Sequence, residues 1–286
     1  MSELARRVIV ALIGAPLALV IIWFGGAALA TLAASLSALA AWEFFRLARE
    51  GGNRPLTGIG IVASAVLPII VHAQFLGFIQ VPPVAMTLFM LALIAVAIWM
   101  RGVSGHPLAA VGTTVLGIMY TGGTLSYVYA LRYHGYAVGD VAGSLMVILP
   151  VLLTWANDTG AYFTGRAIGG RKLIPSVSPG KTIAGAIGGV VLTVVVCAVY
   201  VHFALRPQAQ LTFSPWGLVV FAVCISVAAQ IGDLAESLLK REANVKDSGT
   251  LFPGHGGALD RLDSLFFVLP ISYALYGWLL LASPSS

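Results

Sequence analysis

Six carboxylates in the C-terminal half of the chain, Asp158, Asp233, Glu236, Asp247, Asp260 and Asp263, offer oxygen ligands of the kind a hard cation takes. Mg²⁺ is usually held by one or two carboxylates together with substrate phosphates and water, so this set exceeds the needs of one ion. Some of its members must instead pair with lysine or arginine. Further on from Asp158, Arg166, Arg171, Lys172 and Lys181 alternate with Gly169, Gly170 and Gly180 and with the hydroxyls of Ser176, Ser178 and Thr182. Glycine lets backbone N–H groups approach phosphate oxygens and lysine stabilises their charge, so the loop reads as an anion cradle. Ordinary anchoring of a cytoplasmic loop also explains the sign of its charge. Gly180, Lys181 and Thr182 match the end of a P-loop, but Pro175 stands where that motif requires its first glycine, which excludes it. Zinc is disfavoured because His255 has no second histidine or cysteine at ligand spacing. For His255 a loop-ordering or phosphate-facing role is at least as good a reading as ligation. Acids for a metal beside a basic, glycine-rich loop point to phosphoryl or nucleotidyl transfer.

These residues sit in a chain of 286 residues that is 59% hydrophobic and only 9% charged. Its apolar runs reach the roughly 20 residues that cross a hydrocarbon core as helix, and they lack the alternation of a transmembrane β-barrel. The expected fold is all-α and polytopic, with about nine transmembrane helices near 8–24, 27–45, 57–73, 81–100, 110–131, 141–165, 182–204, 215–239 and 263–282. With this assignment fourteen of the sixteen lysines and arginines fall on one side, leaving Arg132 and Arg206 on the other. The positive-inside rule then places the N-terminus in the cytoplasm and the C-terminus outside. The basic residues cluster at span ends, so the net charge of +5 reflects topology and not nucleic acid binding. Cys197 and Cys224 lie singly in apolar spans and are given no chemical role.

A single membrane domain, 1–286, is expected, with scaffold spans over 1–140 and a catalytic half over 141–286. In the scaffold, Glu43 is read as an interfacial residue paired with Arg46 at i, i+3. The alanines of the second span suggest close helix approach or oligomer contact. In the catalytic half, Asp158 lies seven residues inside the end of its span and Asp233 seven before Lys240, each roughly 10 Å deep. Acids at such a depth are costly and functional by default. Asp233, Glu236, Ser237 and Lys240 share one helix face, which leads into the charged segment ending at Asp263.

That segment, Ser237 to Asp263, resembles the signature of the phosphatidate cytidylyltransferases (CDP-diacylglycerol synthases). The matching positions are Ser237, Lys240, Arg241, Lys246, Asp247, Gly249, Phe252, Pro253, His255, Gly256, Gly257, Asp260, Arg261 and Asp263. Ala258 replaces a larger apolar residue. The upstream NDTGAYFTGR and SPGKT stretches are also similar to that family's, so the resemblance covers about 140 to 285. It implies transfer of a cytidylyl group from CTP to phosphatidate in the bilayer, with Mg²⁺ required and a second, monovalent cation left open. Asp233 and Asp260 are then the expected metal ligands. Lys240, Arg241, Lys246, Asp247, His255, Arg261 and Asp263 are candidate catalytic residues, and Asn157, Asp158, Lys172, Ser178, Lys181 and Thr182 candidate substrate-binding ones. A homodimer in the cell inner membrane is part of the same expectation. A CTP-using polyprenol kinase and an ion-coupled transporter stay open as rivals.

Overall fold

In hydrocarbon every backbone N–H and C=O must find its partner within the segment, so long apolar runs become helices. The computed structural model describes residues 14, 16–249 and 256–283. Among these residues, eight helices are long and apolar enough to cross a bilayer, and they coincide within a few residues with the second to ninth expected spans. Of the first, 8–24, residues 8–13 and 15 lie outside the described residues, and 16–24 are helical. The protein is an all-α, polytopic membrane protein.

The helices are α1 Gly26–Glu50, α2 Thr57–Phe75, α3 Pro83–Met100 and α4 Pro107–Ile118, which continues through a π turn, Met119–Gly123, into α5 Thr124–Arg132. Then come α6 Gly139–Ile168, strands β1 Lys172–Ile174 and β2 Ser178–Thr182, and α7 Ile183–Tyr200, which runs through a second π turn into the short α8 Arg206–Ala209. The strand β3 Leu211–Phe213, α9 Pro215–Glu242, α10 Leu259–Leu279 and the strand β4 Leu280–Ala282 complete the order. The residues fall into two contact units.

The first unit contains Gly26–Tyr129 and Leu239–Arg261. Small residues let α1 approach its neighbours: Ala30, Ala33, Ala34, Ala40 and Ala41 are all buried. Phe45, fully buried, fills the space opposite Gly60 of α2 and Gly117 of α4, where any added Cβ would strike its ring. Those five alanines of α1 are thus used in close approach within the chain's own packing.

The second unit contains Gly14–Gly25, Ala130–Leu238 and Leu262–Ser286. Its helices α6 and α7 pack closely because α7 presents Gly185, Gly188 and Gly189: a Cβ on Gly185 would lie 2.8 Å from the carbonyl of Ala161. The expected glycine-rich loop contains a hairpin, β1 antiparallel to β2 with Lys172 opposite Thr182 and Ile174 opposite Ser178. A second hairpin pairs β3 with β4. Beside it Phe213, Phe221 and Tyr276 form an aromatic cluster, and the Tyr276 hydroxyl donates to the carbonyl of Met146.

Candidate active site

In the second unit the polar part of α6 is tied to its neighbours. Asn157 is buried, and its Oδ1 accepts from Ser226 Oγ at 2.7 Å and from Gln230 Nε2 at 3.1 Å, both on α9. Gln230 also donates to the carbonyl of Ala186 on α7. A buried amide must find partners, and here they join three helices. Asn157 Nδ2 donates to Asp158 Oδ1 at 3.2 Å, and Asp158 itself is exposed. Gly189 makes room for this network, since a Cβ there would lie 2.6 Å from Asn157 Oδ1.

The β1–β2 hairpin carries the cradle lysines. Lys172 is exposed and Ser178 half-buried. Lys181 Nζ lies 2.6 Å from Asp233 Oδ2 on α9, an ion pair between the basic hairpin and the acid-bearing helix. Thr182 acts on the helix that follows it. In extended conformation before α7, its Oγ1 accepts from the Gly185 N–H at 3.0 Å and caps the helix. Thr182→Ala should lower stability by about 1 kcal/mol, the usual worth of an N-cap, and Thr182→Ser should restore it. Thermal melting in detergent checks this, and equal melting of all three proteins would refute it. Asp263 also lies in this unit, with Oδ1 accepting from the Ser264 N–H at 2.6 Å. Gly232 of α9 lies so close to the Asp263–Ser264 backbone that a Cβ would come within 2.6 Å of the Asp263 carbonyl.

In the first unit Asp260, in the opening turn of α10, collects donors. Its Oδ1 accepts from Lys240 Nζ at 2.8 Å, and its Oδ2 is reached by Ser248 N at 3.0 Å, Ser248 Oγ at 2.9 Å and Gly257 N at 2.8 Å. Gly256, at φ +79°, takes the left-handed turn that brings the next amide toward this carboxylate. Arg241, Lys246, Asp247 and Arg261 are exposed. His255, with Phe252 and Pro253, lies outside the described residues.

One residue departs from its sequence reading. Glu43 of α1 is not an interfacial partner of Arg46: it is 0% exposed, and its carboxylate accepts from Ala258 N at 3.0 Å, Leu259 N at 2.7 Å and Ser248 Oγ at 3.0 Å. Arg46 donates instead to the Ser248 carbonyl and sits 3.6 Å from Glu50. The reason is energetic. A carboxylate in an apolar span needs donors, and the first amides of α10 have no intrahelical acceptor. The signal was in the sequence, because the cost that singles out Asp158 and Asp233 applies equally to Glu43. Ser226, Gln230 and Ser248, also missed, carry no such charge signal.

Among the described residues no three of histidine, cysteine, aspartate and glutamate gather around one point. Mg²⁺ does not require that many, given phosphates and water. Asp233 suits such an ion: its side chain is 37% exposed with one carboxylate oxygen on Lys181. Asp260 has oxygen chemistry of the same kind, but the Lys240 ammonium and the amides of Ser248 and Gly257 already engage it.

Fold and site together define a polytopic helical membrane protein with two lysine–aspartate ion pairs, Lys181–Asp233 and Lys240–Asp260. The chain belongs to the cytidylyltransferase family, which it matches over residues 5–279. It is 33% identical to the phosphatidate cytidylyltransferase of Brucella suis over 283 residues, 97% of this chain and 94% of that protein. It is 41% identical to that of Haemophilus influenzae over 156 residues, 54% of this chain and 53% of that protein. With that of Bacillus subtilis the identity is 39% over 165 residues, 58% of each. The chain thus spans somewhat over half the length of the last two relatives and nearly all of the first.

Proposed function

We propose that the protein transfers a cytidylyl group from CTP to phosphatidate at the inner face of the membrane, forming CDP-diacylglycerol and pyrophosphate. What carries this reading is the nearly end-to-end similarity to the Brucella suis enzyme in a chain that pairs Lys181 with Asp233. A phosphate oxygen of phosphatidate attacks the α-phosphorus of CTP. The bond from that phosphorus to the bridging oxygen breaks, and pyrophosphate leaves. The attacking phosphate is already ionised near neutral pH, so no dedicated general base is needed, and catalysis reduces to alignment and charge neutralisation.

Lys172, Lys181, Lys240, Arg241, Lys246 and Arg261 are assigned to the phosphates of substrate and leaving group. Asp158, with Asn157 behind it, is assigned to positioning CTP. Ser178 and Thr182 belong to the hairpin that presents Lys181. Asp233 and Asp260 are the proposed Mg²⁺ ligands, and the ion when bound would neutralise charge on the phosphates. Of the two, Asp233 is the more open, while Asp260 would have to exchange Lys240 for the metal. Nine spans with a cytoplasmic N-terminus and an outside C-terminus, the cell inner membrane, and a homodimer belong to the same reading.

The test is transfer of label from α-³²P-CTP into chloroform-soluble lipid by detergent-purified protein given phosphatidate and Mg²⁺. Incorporation with release of pyrophosphate is expected. Absence of label in lipid overturns the proposal, and release of CDP would mark a kinase instead.

A further inference from the structure

Glu43 and the charged segment are joined by contacts that the proposed reaction does not explain. The Glu43 carboxylate is buried, yet it is spent on three donors of one short stretch: the Ser248 hydroxyl and the amides of Ala258 and Leu259. Two glycines make the space for it. A Cβ on Gly249 or on Gly257 would collide with the Glu43 carboxylate, so both positions are kept bare for a side chain that comes from another helix. Arg46, one turn along the same helix, grips the stretch from a second side through the Ser248 carbonyl.

The grip extends to charged residues. Ser248 Oγ lies 3.0 Å from Glu43 Oε2 and 2.9 Å from Asp260 Oδ2, within hydrogen-bond reach of both carboxylates, and its single proton serves one of them at a time. Asp260 in turn holds Lys240 Nζ at 2.8 Å. A chain of direct contacts therefore runs from Glu43 through Ser248 and Asp260 to Lys240, all within the first unit. The cost of burying the Glu43 carboxylate is offset by the amides of a helix start, where a negative charge is favoured.

We infer that Glu43 is a positioning residue for the transfer reaction: through Ser248 and the opening turn of α10 it fixes where Asp260 and Lys240 stand. The inference rests on the proposed cytidylyl transfer, but its physical half can be read without any turnover. Glutamine at position 43 keeps the shape while turning one accepting oxygen into an NH₂ group that faces donors. Glu43→Gln should therefore loosen the stretch without emptying the space.

The experiment compares wild type, Glu43→Gln, Glu43→Asp and Ser248→Ala in detergent by hydrogen–deuterium exchange and by steady-state kinetics. Faster exchange in Glu43→Gln is expected for peptides covering 243–262, with the rest of the chain unchanged. With it, kcat should fall about 10- to 100-fold, the range seen when groups supporting a reactive residue are lost, while KM for CTP stays within about threefold. Glu43→Asp should recover part of the loss. Ser248→Ala, a smaller change that keeps the space filled, should show the same kcat effect in weaker form. The double variant Glu43→Gln/Ser248→Ala should be less impaired than the two effects multiplied, as expected for residues acting through one contact. Faster exchange with unchanged kcat overturns the positioning role. Lost kcat with unchanged exchange overturns the route through this stretch, and so does full multiplication of the two effects. If Glu43→Gln cannot be purified folded, Ser248→Ala alone decides on the same two readouts. Failure of the wild-type protein to make the liponucleotide would refute the proposed reaction, and the exchange result would still stand or fall separately.

Discussion

Asp233→Asn is expected to lower kcat/KM for CTP by about 10²- to 10³-fold, the range for removing one group that stabilises charge in the transition state. Asparagine keeps the size of the side chain and removes the charge. The structural cost is small, because Asp233 and Lys181 are 37% and 26% exposed and a half-solvated ion pair contributes little to stability. Two explanations of a lost activity can be separated through Lys181. If Asp233 only neutralised Lys181, removing both charges together would return the enzyme to the level of Lys181→Met alone. If Asp233 holds Mg²⁺, the double variant Asp233→Asn/Lys181→Met stays as inactive as Asp233→Asn, and Lys181→Met by itself chiefly raises KM for CTP. The measurement is initial velocity against CTP at several Mg²⁺ concentrations. Recovery in the double variant, or undiminished Mg²⁺-dependent turnover in both Asp233→Asn and Asp260→Asn, would sink the metal assignment.

How far such residues can be found in the sequence depends on which physical signal they carry. Hydropathy has long range and weak demands, and it located eight helices to within a few residues, down to Pro215 as the first residue of α9. Charge inside an apolar run is equally legible, and it singles out Asp158 and Asp233. What it could not supply is the partner. Nothing in the spacing of Lys181 and Asp233, 52 residues apart in the sequence, says that they touch, because the contact is made by a hairpin folding onto a distant helix. The hairpin was itself invisible, its strands being three and five residues long and without alternating hydrophobicity. Glu43 shows the same limit more sharply. Read along its own helix, the nearest base is Arg46, three residues away, whereas its actual partners lie more than 200 residues further along the chain. Helix α1, placed among the scaffold spans by the sequence, thus contacts the charged segment directly through Glu43. Gly249 and Gly257, recognisable in sequence only as motif positions, gain their physical reason from that contact.

The largest effect on stability is expected at Arg132. Its side chain is 1% exposed, and its guanidinium donates from Nε to the carbonyl of Ile22 at 2.9 Å and from Nη2 to that of Trp23 at 3.0 Å. Those are the last carbonyls of the helix over 16–24, which have no intrahelical donor. Gly25, at φ +62°, ends that helix in a left-handed turn, and a Cβ there would come within 3.4 Å of Arg132 Nε. The same Nη2 reaches Asp140 Oδ1 at 2.8 Å, but the Asp140 side chain is 79% exposed, so that pair is screened and adds little. Arg132→Leu keeps apolar bulk and deprives the buried carbonyl of Ile22 and the part-buried one of Trp23 of their donor, at about 1–3 kcal/mol for the first and less for the second. A loss of about 2–4 kcal/mol is expected, against less than about 1 kcal/mol for Asp140→Asn. Arg132→Lys should fall between them, since an ammonium lacks the planar fork that serves two carbonyls at once. Thermal unfolding of the purified variants in one detergent gives the order directly. Arg132→Leu melting with wild type, or Asp140→Asn melting as low as Arg132→Leu, would show that the carbonyls do not carry the interaction.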